Sequence, residues 1–361
     1  MFYFLYPLKD ISIVFNLFRY ITVRSAGASI TAFLLSLWLG PRIIAWLKKV
    51  NVTQNQKREY AESIHTFYAH KEKVPTMGGV LIVAAVVISM LLWGNLTNWF
   101  VWVLIGTITS FGAVGFLDDW IKLRSRSSRG LGSLTKVVGQ LVIGVAVGLY
   151  LYMDPVFDKW LYFPFFKKGA IYLSVFFIPF VVLVLVGSSN ALNLTDGLDG
   201  LAIGCTLFTS ISLGISAYLV GRVDFASYLS IPYIPAAGEI AVFAAALIGA
   251  SAGFLWFNCY PAEVMMGDTG SLALGGAIGT IAVMTKKEMV LVIIGGVFVW
   301  EALSVILQVA SFKLFHKRIF RMSPFHHHLQ LKGWAESKVT IRLWIIALIL
   351  AVVGLSTLKV R

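Results

Sequence analysis

Two adjacent carboxylates, Asp118 and Asp119, stand at the end of a long apolar run. Lys122 follows them by four and three residues, which puts it on their face of a continued helix. One lysine cannot balance two acids that repel each other at a helix C-terminus, where the helix dipole disfavours negative charge. The pair is therefore either the solvated start of a loop or a site for magnesium or phosphate chemistry.

A third carboxylate, Asp268, stands between glycines in the stretch MGDTG (266–270), just before another apolar run. Glycine lets the backbone approach a ligand closely, and N–H groups at a helix start favour anions such as phosphate. A plain helix cap by Asp268 or Thr269 is the competing interpretation. Asn258, at the end of the preceding apolar run, adds an amide that both donates and accepts hydrogen bonds.

Two more polar clusters interrupt apolar runs. The stretch Asn190–Gly200, NALNLTDGLDG, contains two Asp and two Asn but no Lys or Arg. The run HHH (326–328) consists of common metal ligands, yet three consecutive residues on a regular element do not converge easily on one ion. Phosphate binding or proton transfer is therefore favoured over zinc.

Three isolated charges remain. Lys71 and Lys73 precede a glycine-bearing helix start, either as ordinary cytoplasmic charge or as ligands of an anionic head group. Glu301 stands inside an apolar run, where a carboxylate usually faces a polar cavity or the bundle interior. The sequence leaves open whether Glu301 is structural or functional.

Membrane-spanning helices must position these clusters. Of the 361 residues, 58% are hydrophobic and only 13% are charged, whereas soluble domains have roughly 25% charged residues. A span needs about 20 mostly apolar residues, and ten segments are candidates on that rule: roughly 24–47, 77–94, 98–120, 136–153, 169–187, 200–219, 237–257, 270–285, 288–312 and 340–357, of which the eighth is short and glycine-rich. The sequence predicts an all-α, polytopic integral membrane protein, with one domain over 1–361 and an interfacial lead-in at 1–23.

Basic residues follow the first, third and ninth spans and are sparse after the even ones. The positive-inside rule then puts the loops after odd spans in the cytoplasm and both termini outside. All the polar clusters fall on the cytoplasmic side. This distribution explains the formal charge of +13 without nucleic-acid binding.

Acids and cations that lack local partners and a histidine cluster, all on one membrane face, suit Mg²⁺ bound by carboxylates and substrate phosphates. Phosphoryl-type chemistry needs mainly positioning and charge neutralisation. An enzyme that joins a soluble diphosphate compound to a membrane lipid has these requirements.

At these motifs the sequence resembles the polyprenyl-phosphate N-acetylhexosamine-1-phosphate transferases. The matching residues are PTMGG (75–79), GFLDDWIK (115–122), NALNLTDGLDGLA (with 192–202 at its core), GFLWFNCYPAEVMMGDTGSLALGG (253–276) and RMSPFHHHLQLKGW (321–334). The resemblance covers the chain from about residue 20 to its end. The PxHHHxxxKGW form points to the branch of the family that transfers muramoyl pentapeptides.

The resemblance implies a reaction, a cofactor and a location. Phospho-MurNAc-pentapeptide would pass from UDP-MurNAc-pentapeptide to undecaprenyl phosphate, giving lipid I and UMP with Mg²⁺, as the first membrane step of peptidoglycan synthesis. The enzyme would be a homodimer in the bacterial inner membrane. A related transferase that uses UDP-GlcNAc is the alternative within the family. A transporter or flippase is the alternative from another class, which acids at one face and the absence of repeated halves disfavour.

The resemblance also implies site residues. Asp118 would be either a base that deprotonates the lipid phosphate or a nucleophile in a two-step scheme. The catalytic positions are Asp118, Asp119, Asp268 and His327, of which Asp268, Asp118 and Asp119 also face the metal. The substrate-binding positions are Lys71, Thr76, Lys122, Lys136, Asn190, Asn193, Asp196, Asp199, Asn258, Met265, Gly267, Gln308, His326 and His328.

Overall fold

The computed structural model describes residues 1–50, 74–125, 130–166 and 169–359. Two short 3₁₀ helices, Phe2–Asp10 and Ile13–Arg19, precede the first long helix. The α-helices of the described residues are α1 (Ile21–Lys49), α2 (Gly79–Trp93), α3 (Trp99–Arg124), α4 (Ser133–Met153), α5 (Phe177–Thr195), α6 (Leu201–Val220), α7 (Val223–Leu229), α8 (Ala237–Asn258), α9 (Gly267–Met284), α10 (Glu288–Ile294), α11 (Gly296–Phe315), α12 (Phe325–Gln330) and α13 (Glu336–Ser356).

Eight segments of the described chain are long and apolar enough to cross a membrane. They comprise α1, α3, α4, α5 with the turn before it, α6, α8, α11 and α13. The shorter apolar helix α2 and the buried helix α9 occupy the places of two further predicted spans. The prediction of an all-α polytopic membrane protein is confirmed.

Helix α9 lies at the centre of the bundle and packs against α3 and α5. Every residue of α9 from Thr269 to Met284 is buried. Small residues make this possible: a Cβ on Gly79 of α2 would lie 2.1 Å from the backbone nitrogen of Gly270. The start of α9 is therefore held close to its neighbours, with little freedom to move against them.

The fifth span differs from its predicted range of 169–187. Residues Ala170–Tyr172 form strand β2, which pairs antiparallel with strand β1, Trp160–Tyr162. Helix α5 begins after this strand and continues to Thr195. The prediction of a loop from residue 190 was wrong because the polar side chains there find partners inside the bundle. Asn190 Nδ2, for example, donates to Gln140 Oε1 at 2.8 Å.

The ninth span also differs from its predicted range of 288–312. It consists of α10 and α11, which are separated at Gly295. Helix α11 is only sparsely covered by the rest of the chain, yet Glu301 within it is fully buried.

Candidate active site

Three helix ends meet at one end of the bundle and bring the acids together. Asp118 and Asp119 lie in the last turns of α3, Asp268 in the first turn of α9, and Asn193 in the last turn of α5. Asn193 Nδ2 donates to Asp268 Oδ1 at 2.9 Å and to the hydroxyl of Ser271 at 2.9 Å. Stretches that are far apart in sequence are thus in direct contact.

Two glycines allow this approach. A Cβ on Gly115 of α3 would lie 2.1 Å from the carbonyl oxygen of Asp268, so no other residue fits between the two helices there. Gly267 has a φ of +73° and a Cβ on it would lie 2.7 Å from Asp119 Oδ2. Glycine adopts this left-handed backbone without a steric penalty.

Two lysines neutralise part of the acidic cluster. Lys122 forms ion pairs with Asp118 and, at 3.0 Å, with Asp268 Oδ2. Lys136, at the start of α4, lies 2.5 Å from the same Asp268 oxygen and 3.9 Å from Asp118 Oδ2. Two ammonium groups face three carboxylates, so the cluster keeps one negative charge in excess when all are ionised.

Asp119 joins α3 to the first turn of α9. Its Oδ2 accepts the backbone N–H of Thr269 at 2.9 Å and the Thr269 hydroxyl at 2.7 Å, and its Oδ1 accepts the N–H of Asp268 at 3.3 Å. These N–H groups have no partner within their own helix, and an acid at a helix start is favoured by the helix dipole. Asp119 therefore caps α9 from a neighbouring helix and fixes the position of Asp268.

Asp118 is held differently. Its Oδ1 accepts the backbone N–H of Leu131 at 2.9 Å, while Oδ2 faces the two lysines. The structure thus gives the two adjacent acids different surroundings: Asp119 accepts donors from the first turn of α9, and Asp118 shares the ammonium groups of Lys122 and Lys136 with Asp268.

The three carboxylates fit a metal ion. One oxygen from each of Asp118, Asp119 and Asp268 lies within 4.8 Å of the others. Carboxylate oxygens are the ligands that hard cations such as Mg²⁺ prefer. The lysines that now contact Asp118 and Asp268 supply positive charge at the place where such an ion would supply it.

The loop after α5 ties the acid cluster to other helices. Asp196 is half-buried at the end of α5. Asp199 Oδ2 accepts the N–H of Ala262 at 3.0 Å, and the N–H of Asp199 donates to Glu336 Oε1 at 2.8 Å. Asn258 lies beside this loop and accepts the N–H of Gly200 at 3.1 Å.

The three histidines lie on the short helix α12 and make different contacts. His327 is buried, with Nδ1 2.9 Å from Gln330 Oε1. His328 Nδ1 accepts the N–H of Arg321 at 3.1 Å. Partial burial, and then the charges of Lys332 and Arg321, lower the pKa of His328.

His326 is fully buried and faces Glu301 of α11 on one side and Gly197 on the other. Through these contacts the histidine helix reaches the loop that follows α5. The structure therefore connects the HHH run to the NALNLTDGLDG stretch.

Three of the amides in the predicted substrate set bind protein groups. Asn190 donates to Gln140 and Val186, and Asn258 donates to the carbonyl of Val264 at 2.8 Å. Gln308 accepts the N–H groups of Ile319 and Phe320 and donates to the Phe320 carbonyl. These contacts hold neighbouring backbone, and a role of the three amides in binding substrate stays a prediction.

Thr76 and Met265 flank the acid cluster. The backbone N–H of Met265 donates to the Pro75 carbonyl at 2.8 Å, and Gly78 N–H donates to the Met265 carbonyl at 2.9 Å. A Cβ on Gly267 would lie 2.9 Å from the Thr76 hydroxyl, which brings this segment against the start of α9. Lys71 lies outside the described residues.

Comparison with known proteins agrees with the motifs. Residues 101–286 match the model of glycosyl transferase family 4. The phospho-N-acetylmuramoyl-pentapeptide-transferase of Oleidesulfovibrio alaskensis is 49% identical over 362 residues, covering 100% of both chains. The enzymes of the same name from Citrifermentans bemidjiense and Nitratidesulfovibrio vulgaris are 49% and 50% identical over 361 and 358 residues, which is 100% and 99% of each chain.

This chain belongs to the phospho-N-acetylmuramoyl-pentapeptide-transferase family. The resemblance to the wider polyprenyl-phosphate transferases is thereby confirmed.

Sequence reasoning missed several partners in this transferase site. The backbone N–H of Leu131 and the hydroxyl of Thr269 hold Asp118 and Asp119, but neither carries a signal in the sequence beyond its nearness to a helix end. Ser271, one turn after Gly267, is likewise a generic residue that Asn193 contacts. Glu301 did carry a signal, as a carboxylate within a span, but only the fold identifies His326 as its partner.

Proposed function

We propose that this chain transfers phospho-MurNAc-pentapeptide from UDP-MurNAc-pentapeptide to undecaprenyl phosphate, releasing UMP and forming lipid I. The observation that carries the proposal is the convergence of Asp118, Asp268 and two lysines at one end of a membrane-spanning bundle. The full-length relatives that carry this enzyme name support it.

Mg²⁺ is the metal we propose for this site, bound by Asp268 and Asp118 with Asp119 adjacent. Their oxygens suit a hard divalent cation that keeps open positions for substrate phosphates. When bound, such an ion neutralises charge on the diphosphate and stabilises the UMP that leaves.

The protein groups position the reacting phosphates. A phosphate oxygen of the lipid attacks the phosphorus attached to the sugar, and the bond from that phosphorus to the oxygen of UMP breaks. Lys122 and Lys136, which pair with Asp118 and Asp268 in the structure, would contact phosphate oxygens of the bound substrates. Asp118 accepts a proton from the lipid phosphate, while Asn193 orients Asp268 through the hydrogen bond at 2.9 Å.

The nucleotide-sugar is proposed to bind beside the acids, against the surface that the loop of Asp196 and Asp199 forms together with the histidine helix. His326 and His328 would contribute donors and acceptors for its polar groups, and Thr76, Met265 and Gly267 would form the opposite wall. His327 stays a proposed catalytic residue; its buried ring lies beside that of His326, with 4.1 Å between the centroids.

We propose that the site faces the cytoplasm of the bacterial inner membrane, that both termini lie outside, and that the enzyme is a homodimer. Support for the orientation comes from the excess of Lys and Arg in the loops at the end of the bundle where the acids lie. Cytoplasmic nucleotides also have direct access to that side.

The test uses purified protein, undecaprenyl phosphate and Mg²⁺, with UDP-MurNAc-pentapeptide or UDP-GlcNAc as donor. UMP release and an extracted lipid product are measured with each donor. The proposal predicts product with the muramoyl donor. Product with UDP-GlcNAc alone would favour the related transferase instead. The variant Glu239→Gln serves as a control that leaves the acid cluster intact, because Glu239 is a buried carboxylate at the other end of α8.

A further inference from the structure

Glu301 is a fully buried carboxylate that the reaction scheme above does not use. It lies in α11, with Oε2 3.2 Å from Nδ1 of His326. The same oxygen accepts the backbone N–H of His326 at 3.3 Å. Among the described residues, the side chain that lies against the Glu301 carboxylate in this way is that of His326.

A buried carboxylate against one nitrogen of an imidazole fixes the ring. Leaving a charge in a dry interior without a partner is costly, so the pair is held together. The carboxylate also accepts the backbone N–H of His326 and keeps Nδ1 of the ring on the α11 side, so that Nε2 points away from α11. Glu301 therefore fixes the position and orientation of His326.

The other edge of the ring meets the loop after α5. A Cβ on Gly197 would lie only 2.2 Å from His326 Nε2, so residue 197 has to be glycine for the ring to sit there. Nε2 is buried and has no hydrogen-bond partner among the described residues. Gly197 lies between Asp196 and Asp199, and this loop continues directly from Asn193, which contacts Asp268.

We propose that Glu301 is a positioning residue for the transferase, an inference that rests on the proposed function. Its carboxylate holds His326 with Nδ1 toward α11 and Nε2 against the loop of Asp196 to Asp199, and so sets the shape of the nucleotide-sugar site. No hydrogen bond or ion pair within the described residues joins His326 to Asp118 or Asp268. The effect of Glu301 is therefore on substrate binding more than on the transfer step.

The experiment compares Glu301→Gln with the wild type in KM for UDP-MurNAc-pentapeptide and in kcat. Glutamine keeps the size of the side chain but removes its charge. Losing one charge-assisted hydrogen bond that orders the site should raise KM roughly tenfold, with kcat changed by less than about threefold. An unchanged KM, or a loss confined to kcat, would overturn the inference.

Glu239→Gln is the matched control. Glu239 is also buried and is paired with Arg24 through two contacts of 2.7 and 2.8 Å, but it belongs to the first turn of α8, whereas the site lies beyond the last turn of that helix. This variant should lower the melting temperature without raising KM. A KM rise equal to that of Glu301→Gln would mean that any lost buried ion pair disturbs the site, and the inference would fail.

His326→Gln alone, which keeps Glu301, covers the case in which Glu301→Gln does not fold: a wild-type KM in that variant would overturn the inference. Where Glu301→Gln folds, a double variant tests whether Glu301 acts through His326. If Glu301 acts only through His326, KM in the double variant E301Q/H326Q equals KM in H326Q, and both exceed the wild-type value. A further rise in the double variant, or a wild-type KM in it, contradicts the inference. Wild-type protein that makes no lipid product with either donor would contradict the proposed function itself, which separates the two failures.

Discussion

Replacing Asp119 with asparagine should destabilise the protein, because Asp119 caps a helix from outside it. The carboxylate is 4% exposed and accepts three hydrogen bonds from the first turn of α9. An asparagine offers one acceptor oxygen and turns a donor toward groups that are themselves donors. At least one charge-assisted bond is lost and one N–H is left buried without a partner.

The magnitude follows from these contacts. Hydrogen bonds to charged groups contribute about 1.5–3 kcal/mol each, and loss of a helix cap costs about 0.5–2 kcal/mol. We therefore expect a loss of about 2–4 kcal/mol in the free energy of unfolding, seen as a melting temperature lower by roughly 5 °C or more in detergent. Activity falls as well, because the start of α9 carries Asp268.

Asp268→Asn provides the comparison, since it removes the same charge from the same cluster. It leaves two carboxylates facing two lysines, a balanced set, and it leaves the Asp119 cap in place. We expect its melting temperature to stay near the wild-type value while UMP release is abolished. The reasoning is refuted if Asp119→Asn melts with the wild type, or if Asp268→Asn is equally destabilised.

Three further predictions follow from the same geometry. Gly267→Ala should destabilise the protein and lower kcat by at least tenfold, because its Cβ would crowd Asp119 at 2.7 Å and strain a backbone with φ of +73°; normal melting and turnover would contradict this. Lys136→Met should raise KM for the nucleotide donor. It should also tighten Mg²⁺ binding, measured by metal titration, because a cation that competes with the metal 2.5 Å from Asp268 Oδ2 is removed. Weaker metal binding in the variant would argue against that competition. The exposed thiol of Cys259 should react with a membrane-impermeant reagent only in permeabilised cells. A cysteine introduced by Tyr228→Cys, in a background without Cys259, should react in intact cells. The reverse pattern would contradict the proposed orientation in the membrane.

The spans could be predicted from the sequence because the thickness of the membrane sets the length of the apolar segments, and the side of the membrane sets the charge of the loops. The ninth predicted span is divided at Gly295, and the misplacement of α5 arose where polar residues occur inside the bundle. Asn190 reads as a loop residue, but its amide bonds to Gln140 and Val186 within the helical layer. A single sequence does not indicate which polar groups have buried partners.

The acids of the candidate site could also be named from the sequence, but their different surroundings could not. Asp118 and Asp119 are neighbours with the same side chain, but in the fold Asp119 accepts donors from the first turn of α9, whereas Asp118 accepts the N–H of Leu131 and pairs with Lys122. The contact of Glu301 with His326 spans 25 residues and depends on how α12 folds back onto α11. The spacing of Glu301 and His326 along the chain does not indicate that α12 packs against α11.

The most direct test of the account follows the phosphorus atom attached to the sugar. UDP-MurNAc-pentapeptide labelled at that phosphate is incubated with the purified enzyme, undecaprenyl phosphate and Mg²⁺, with and without a chelator. We predict that the label moves into the extracted lipid, that the released UMP is unlabelled, and that chelation stops both. Label released as free phosphate, or retained in the nucleotide while lipid product forms, would contradict the account.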